Sequence, residues 1–323
     1  MPDIILSRRV AAGTDAPLDA WRDNVGAALA VDGQPRRFDP VRTVVVLSWN
    51  MWIGRGNLAG IVSRIRDGSW SATGIPRDTP IVALIQEAYR ADDSIPAASN
   101  GHGGRDFSGR SRREHEIRAV AEQLKFNLRY APSMRNGPYH SDRGNAILSD
   151  LPLVDTLATE LPFAMQRRVA VSATVVLDGL PIRVHAAHLD PRGGSALDLL
   201  GLRGRLAQVQ ALISSMPVDP QMPQLLGADL NLVRHRREPA FRALVDAGFV
   251  TGIPEVAITW PHTYHRQPRL MLDWILLANR GERIRRVAVQ RLDENLRDAG
   301  RYVFGSDHHP LLAMISLDPE PGA

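Results

Sequence analysis

The sequence predicts an α/β protein of the α+β kind, with mixed sheets flanked by helices, and three observations carry that prediction. Short apolar runs recur along the chain, each of four to six residues, which is the length and composition of a buried strand. Between them lie longer stretches with apolar residues at helical spacing. Hydrophobic content of 44% and charge of 23% are ordinary for a globular chain that buries its strands.

Residues 1 to 40 precede the first of these runs and read as an extension. Asp15-Ala-Pro-Leu-Asp-Ala-Trp21 begins like a capped helix with proline in its first turn, expected to run to Ala30, and Asp32-Gly33 then turns the chain. The run ending Leu-Ser-Trp-Asn50 and the run Ile-Val-Ala-Leu-Ile-Gln-Glu87 follow as strands. Residues 91 to 113 are rich in Gly, Ser and Arg, including Asn100-Gly-His-Gly-Gly-Arg-Asp106 and Arg110-Ser-Arg-Arg113, and are expected to form a solvated loop or one that grips substrate.

An amphipathic helix is expected over Glu114 to Lys125, with Ile117, Val120, Ala121 and Leu124 inward. Strands are expected over 143 to 149, 168 to 176 and 181 to 188, the last two joined by a hairpin at Asp178-Gly179. His185, three residues before His188, faces the other side of its strand and reads as structural. Ser195 to Ser214 reads as a covering helix with Leu197, Leu200, Leu206, Val209 and Leu212 inward and Arg203 and Arg205 on other faces. A strand ending Gly-Ala-Asp229, a basic run Arg234-His-Arg-Arg237 and a strand at Leu272-Asp273-Trp274-Ile275 complete the order.

Five of the apolar runs end in polar residues able to do chemistry: Asn50, Glu87, His188, Asp229 with Asn231, and Asp307 with His308 in Gly305-Ser-Asp-His-His-Pro310. A strand fixes the backbone while its end opens to a cleft, so polar strand ends are where α/β proteins place catalysis. The set offers carboxylate and amide oxygens suited to a hard cation, plus imidazoles. The chain contains no cysteine, which excludes a zinc-thiolate site, a disulfide framework and a cysteine nucleophile.

In sequence order, Ser-Trp-Asn50, Gln-Glu87, Gly144-Asn145-Ala-Ile-Leu-Ser149, His188-Leu-Asp190, Gly227-Ala-Asp229-Leu-Asn231, Thr259-Trp260-Pro261, Leu272-Asp273-Trp-Ile275 and Ser306-Asp307-His308-His309-Pro310 resemble the endonuclease/exonuclease/phosphatase superfamily. That superfamily includes DNase I, abasic-site endonucleases, neutral sphingomyelinases and inositol polyphosphate 5-phosphatases. The resemblance implies a DNase I-like four-layer sandwich of two packed sheets flanked by helices. Because the motifs run from 50 to 308, it also implies one catalytic domain over 41 to 318, with 319 to 323 as a tail.

The resemblance implies roles residue by residue. Glu87 would be the main carboxylate ligand of Mg2+, with Asn50 beside it and Asp307 contributing; Mn2+ suits the same oxygens. Asp229 would position or deprotonate the attacking water, and the Asn231 amide, taken to point the same way two residues on, would donate to a phosphate oxygen. His308 would act over the phosphorus, oriented by Asp273, and His188 would contact a non-bridging oxygen or assist the leaving group. Substrate contacts are expected from Arg143, Asn145, Arg234 and Arg236, while His262, Tyr264 and His265 are candidates for selecting the leaving group. His309 fills a variable position and is expected to take no catalytic part.

The expected reaction is hydrolysis of a phosphodiester by a nuclease acting on DNA. The alternative is a small or lipid phosphoester such as an inositol phosphate, sphingomyelin or a nucleotide. Of 39 basic residues only Lys125 is a lysine, and a net charge of +4 with a pI near 9.9 favours a polyanionic substrate. The first ten residues lack the apolar core of a signal peptide and no apolar run approaches a membrane span, so a cytoplasmic location is the expectation.

Overall fold

Apolar runs buried on both faces become the central strands of two seven-stranded sheets in a computed structural model of the chain. The structure describes residues 5–7, 16–34, 36, 38, 41–70, 75, 77–96, 115–136, 140–217, 219, 221–253, 262–294 and 302–317. The arginine-rich loop at 100 to 113, Glu114, Asp15 and the Thr259-Trp260-Pro261 motif lie outside the described residues.

One sheet has the order β1 (Ile5–Ser7), β7 (Val154–Glu160), β8 (Val169–Leu177), β9 (Leu180–His188), β10 (Gln224–Asp229), β12 (Asp273–Ala278), β11 (Phe249–Thr251). The other runs β13 (Ile284–Arg291), β14 (Leu311–Leu317), β3 (Thr43–Asn50), β4 (Ile81–Ala91), β6 (Ser141–Ser149), β5 (Asn127–Arg135), β2 (Leu29–Val31). Both are mixed: β9 and β10 pair in parallel, as do β3 and β4, whereas β10 and β12 are antiparallel.

Alternation along β3 shows how the layers arise. Val44 and Val46 face the core between the sheets, while Val45, Leu47 and Trp49 face α2 (Leu58–Arg66) and α3 (Ile117–Leu124). On the far side, α4 (Leu202–Ser215) and α5 (Pro239–Asp246) set Val209, Leu212, Phe241 and Leu244 against the first sheet. The sheets approach each other closely at Gly227, where a Cβ would lie 2.7 Å from a Leu84 methyl and 2.9 Å from Ser48 Oγ. The Gln86 amide bridges the same gap by donating to the Gly227 carbonyl at 3.1 Å.

The extension is woven into both sheets. Helix α1 (Ala16–Arg22) buries Leu18 and Trp21 and ends well short of Ala30, where β2 instead pairs with β5. Arg22, in the last turn of α1, is anchored by the Glu160 carboxylate. At 178–179 both residues have positive φ, 45° and 78°, as a tight hairpin between twisted strands requires.

The helix expected from Ser195 starts only at Leu202. Gly201, at φ 72°, precedes its first turn, and Leu197, Leu199 and Leu200 before it are exposed. Arg205, expected on a face other than the apolar one, is fully buried. Its guanidinium makes a two-pronged pair with Glu238 at 3.0 and 2.9 Å, tying α4 to the start of α5. Among the described residues no helix is long and apolar enough to cross a membrane.

Candidate active site

Strand register assembles one row of the site. Asp229 at the end of β10 pairs with His188 at the end of β9 on one side and with Asp273 at the start of β12 on the other. Directly paired residues share a face, so the three side chains stand abreast. The second sheet contributes Asn50 at the end of β3, Glu87 in β4, and Asp307 and His308 on the approach to β14.

Asp229 is the hub. Its Oδ2 accepts from the Asn50 amide at 2.9 Å and lies 3.4 Å from His188 Nε2 and 4.0 Å from His308 Nε2, while its Oδ1 accepts from the Asn231 backbone N–H at 3.0 Å. Burial raises its pKa, and the Asp273 charge adds to that. The His308 charge and the donors of Asn50 and Asn231 offset this only partly, leaving Asp229 at about 7.

His308 is held from behind. Its Nδ1 donates to Asp273 Oδ2 at 2.7 Å, which directs Nε2 into the cleft. Burial lowers the pKa of this ring, but the adjacent Asp273 carboxylate, with Asp229 and Asp307, outweighs it and holds His308 at about 10. His188 goes the other way: burial, then the positive charges of Arg168, His308 and Arg143, keep it neutral, well below the ordinary imidazole range. Two imidazoles thus flank one carboxylate, one charged and one neutral.

The backbone around them is pinned. Trp49 Nε1 donates to the His308 carbonyl at 2.8 Å, and Ser306 Oγ donates to the Asn50 carbonyl at 2.7 Å while accepting from the His308 N–H at 3.1 Å. Asp190 is structural: it accepts from Met165 N at 3.0 Å, Gln208 Nε2 at 3.0 Å and Arg168 Nε at 2.9 Å.

Glu87 sits at φ 51°, in the irregularity between Ile85 and Ala88 where β4 slips its register with β6. That conformation is costly for a residue with a Cβ and is common where function dictates side-chain direction. Burial raises the pKa of nearby Asp307; His308 lowers it, and the Glu87 charge raises it again. Glu87 and Asp307 lie close enough for their charges to repel, and the Asn50 amide oxygen, which accepts from Trp52 N at 2.9 Å, makes a third candidate oxygen donor. That chemistry fits a hard divalent cation such as Mg2+.

Not every expected residue is placed as its spacing suggested. Asn231 leaves the extended conformation, at φ 52°, and its amide nitrogen donates to the Leu189 carbonyl at 3.0 Å, so it does not project in parallel with Asp229. Arg236 donates to the Ile253 carbonyl at 2.7 Å and stacks over Trp274, on the helix-covered face of β12 opposite Asp273. Arg234 is exposed. Arg143 and Asn145 are both buried on β6, Arg143 in the field of Glu87, and Asn145 donates to the Val169 carbonyl at 2.7 Å while its Oδ1 has no hydrogen-bond partner among the described residues.

Tyr264 reaches the cleft, its ring 5.0 Å from that of His308, whereas His262 and His265 are buried beside His309 on the other side of the chain. At the rim lies a group that sequence spacing did not reveal. Trp52 stacks with Tyr302 at 5.0 Å, the Arg55 guanidinium lies 3.9 Å over its ring, and Arg266 spans from 5.8 Å above Trp52 to within 3.6 Å of Asp307 Oδ2. The available signal was position, since Trp52 follows two residues after Asn50.

Two packed mixed sheets carrying a carboxylate-backed imidazole and acidic strand ends define a hydrolytic phosphoesterase of the DNase I-like sandwich. The chain belongs to the endonuclease/exonuclease/phosphatase family, whose model matches residues 47–308. An endonuclease/exonuclease/phosphatase from Beutenbergia cavernae is similar in structure at TM-score 0.58 and 19% identity, over 87% of this chain and 73% of that one. The human nocturnin catalytic domain with bound sulfate anion follows at TM-score 0.55 and 16% identity, over 90% and 98% of the two chains. TDP2 from Caenorhabditis elegans aligns at TM-score 0.51 and 14% identity, over 87% and 77%. At these identities the likeness is one of fold. No curated protein matches the chain in sequence.

Proposed function

We propose that this protein is a magnesium-dependent phosphodiesterase that cleaves nucleic acid, with DNA as the leading substrate. The observation that carries the reading is the shared Asp229 carboxylate, with charged His308 and neutral His188 on either side and Asp273 behind His308. When bound, Mg2+ held by Glu87 and Asp307 with the Asn50 amide oxygen supplies positive charge to the phosphate oxygens and the leaving oxygen; Mn2+ meets the same donors.

The chain's own groups account for the rest. Asp229, with its pKa raised to about 7, accepts a proton from the attacking water near neutral pH. His308 presents Nε2–H to the oxygen on which charge develops, and Asp273 keeps that ring charged and oriented. Neutral His188 offers a second donor without adding another charge to a buried site. Buried Arg143 adds a fixed positive field beside Glu87.

For a nucleic-acid substrate, the support is the rim. Trp52 and Tyr302 offer π-faces, Arg55 and Arg266 offer guanidinium groups, and the net charge is +4. Similarity to the fold of nocturnin, which carries a sulfate anion with the shape and charge of a phosphate, is consistent with it.

Supercoiled plasmid incubated with Mg2+ tests the proposal, with EDTA and Asp229→Asn as controls. Nicking that vanishes in both controls is the expected outcome. An inert plasmid alongside Asp229-dependent hydrolysis of a small phosphodiester would move the substrate to the small or lipid class. Cleavage unaffected by Asp229→Asn would overturn the mechanism.

A further inference from the structure

On the side of the 307–309 segment away from the cleft, three histidines converge. His262, His265 and His309 are 5%, 5% and 0% exposed, and a ring nitrogen from each lies within 4.8 Å of the other two. We propose that they form a second metal site, an imidazole trio for Zn2+ distinct from the oxygen site of the cleft, which clamps the loop bearing Tyr264 and Arg266 to the segment bearing Asp307 and His308.

The geometry supports a ligand set. His265 Nδ1 and His309 Nε2 face each other at 3.2 Å. Two nitrogens bound to one tetrahedral zinc at about 2.0–2.1 Å stand roughly 3.3–3.4 Å apart. The His309 Nδ1 side is occupied by the Asp293 carboxylate at 2.9 Å, with the Leu292 carbonyl at 3.3 Å, so its lone pair is directed into the trio through Nε2. A carboxylate on the far nitrogen of an imidazole ligand is the usual outer partner of a metal-bound histidine.

Without metal, a single proton between His265 Nδ1 and His309 Nε2 satisfies that contact. Zn2+ would need a lone pair from each of these nitrogens, which a neutral imidazole supplies in one of its two tautomers. Three imidazoles select zinc over magnesium, because Mg2+ prefers oxygen donors and retains water.

The backbone explains what such a clamp would hold. His265 N donates to the Asp307 carbonyl and His309 N to the Thr263 carbonyl, each at 2.8 Å, and Thr263 Oγ1 accepts from the N–H of Asp273 at 3.0 Å. Tyr264 pairs with His308 between those contacts. The trio therefore sits directly behind the His308–Asp273 dyad.

Metal-stripped full-length protein should take up one equivalent of Zn2+ in equilibrium dialysis against excess Mg2+, and Co2+ should give the visible bands of a four-coordinate site. Glu87→Gln should keep that equivalent, whereas His262→Gln and His265→Gln should lose it with circular dichroism unchanged. Zinc K-edge absorption on the parent alone should show three imidazoles at about 2.0–2.1 Å, which covers the case of variants that fail to fold. No uptake, an all-oxygen shell, or an equivalent that persists in both histidine variants but is lost in Glu87→Gln would overturn the proposal.

Discussion

Replacing Asp273 with Asn removes the charge that faces His308 Nδ1 at 2.7 Å while keeping the side chain's size. In the parent, His308 stands at about 10 against an ordinary 6.5, although burial alone would lower it. An opposite charge at this range is worth about 1–3 pKa units, so Asp273→Asn should bring His308 to roughly 7–9, a change of about 1.4–4 kcal/mol. Imidazole nitrogen NMR reads that midpoint directly, and the alkaline limb of the pH–rate profile should move down with it. Turnover should fall most above that midpoint, where His308 loses its charge, by up to about 10²–10⁴-fold, the range for losing oriented acid–base and electrostatic assistance. The same shift appears in stability. A histidine whose folded pKa is raised contributes stability that is fully present below about 6.5 and lost as pH rises through about 10, so the deficit of Asp273→Asn should shrink across that window. An unchanged His308 midpoint would refute the assigned cause.

Glu87→Gln should raise the Mg2+ concentration for half-maximal rate by at least about tenfold, the low end even for an outer partner of a bound metal; an unchanged requirement would remove Glu87 from the metal site. Arg205→Ala strands the buried Glu238 carboxylate and should cost about 3–5 kcal/mol in urea unfolding, whereas a loss below about 1 kcal/mol would mean the pair behaves like an exposed one. Trp52→Ala should weaken single-stranded oligonucleotide binding by about 1–3 kcal/mol in fluorescence anisotropy, and an unchanged Kd would take the rim out of substrate binding.

Much of the fold was legible because its strands are buried on both faces, so Val44 to Leu47 and Ile81 to Ile85 appear as unbroken apolar runs. Asn50, His188, Asp229, Asp273 and His308 were legible as candidates because each follows or opens such a run; register sets His188, Asp229 and Asp273 abreast, and hydrogen bonds tie Asn50 to Asp229 and His308 to Asp273 from the other sheet. Glu87 was legible as a residue but not as a geometry, since its outward turn depends on an irregularity in strand pairing. Asn231 was misplaced because alternation holds only while the chain stays extended, and it leaves that state after Asp229. Arg205 resembled a helix charge off the apolar face because its partner Glu238 is 33 residues away. Arg236 was drawn off the cleft by the Ile253 carbonyl, and the trio joins His262 and His265 to His309, 44 or more residues further along the chain and beyond β13. Pairings of that range leave no periodic trace.

In the proposed mechanism the Asp229-centred pair of imidazoles hydrolyses phosphodiesters with a divalent cation. The most direct test is single-turnover hydrolysis of bis(p-nitrophenyl) phosphate across pH, in Mg2+ and in EDTA, for the parent and for His308→Ala. The account predicts a metal-dependent rate that rises as Asp229 ionises near pH 7 and shifts to lower pH at higher Mg2+, with a loss of about 10²–10⁴-fold in His308→Ala. A rate that survives EDTA, or a His308→Ala protein as fast as the parent, would contradict it.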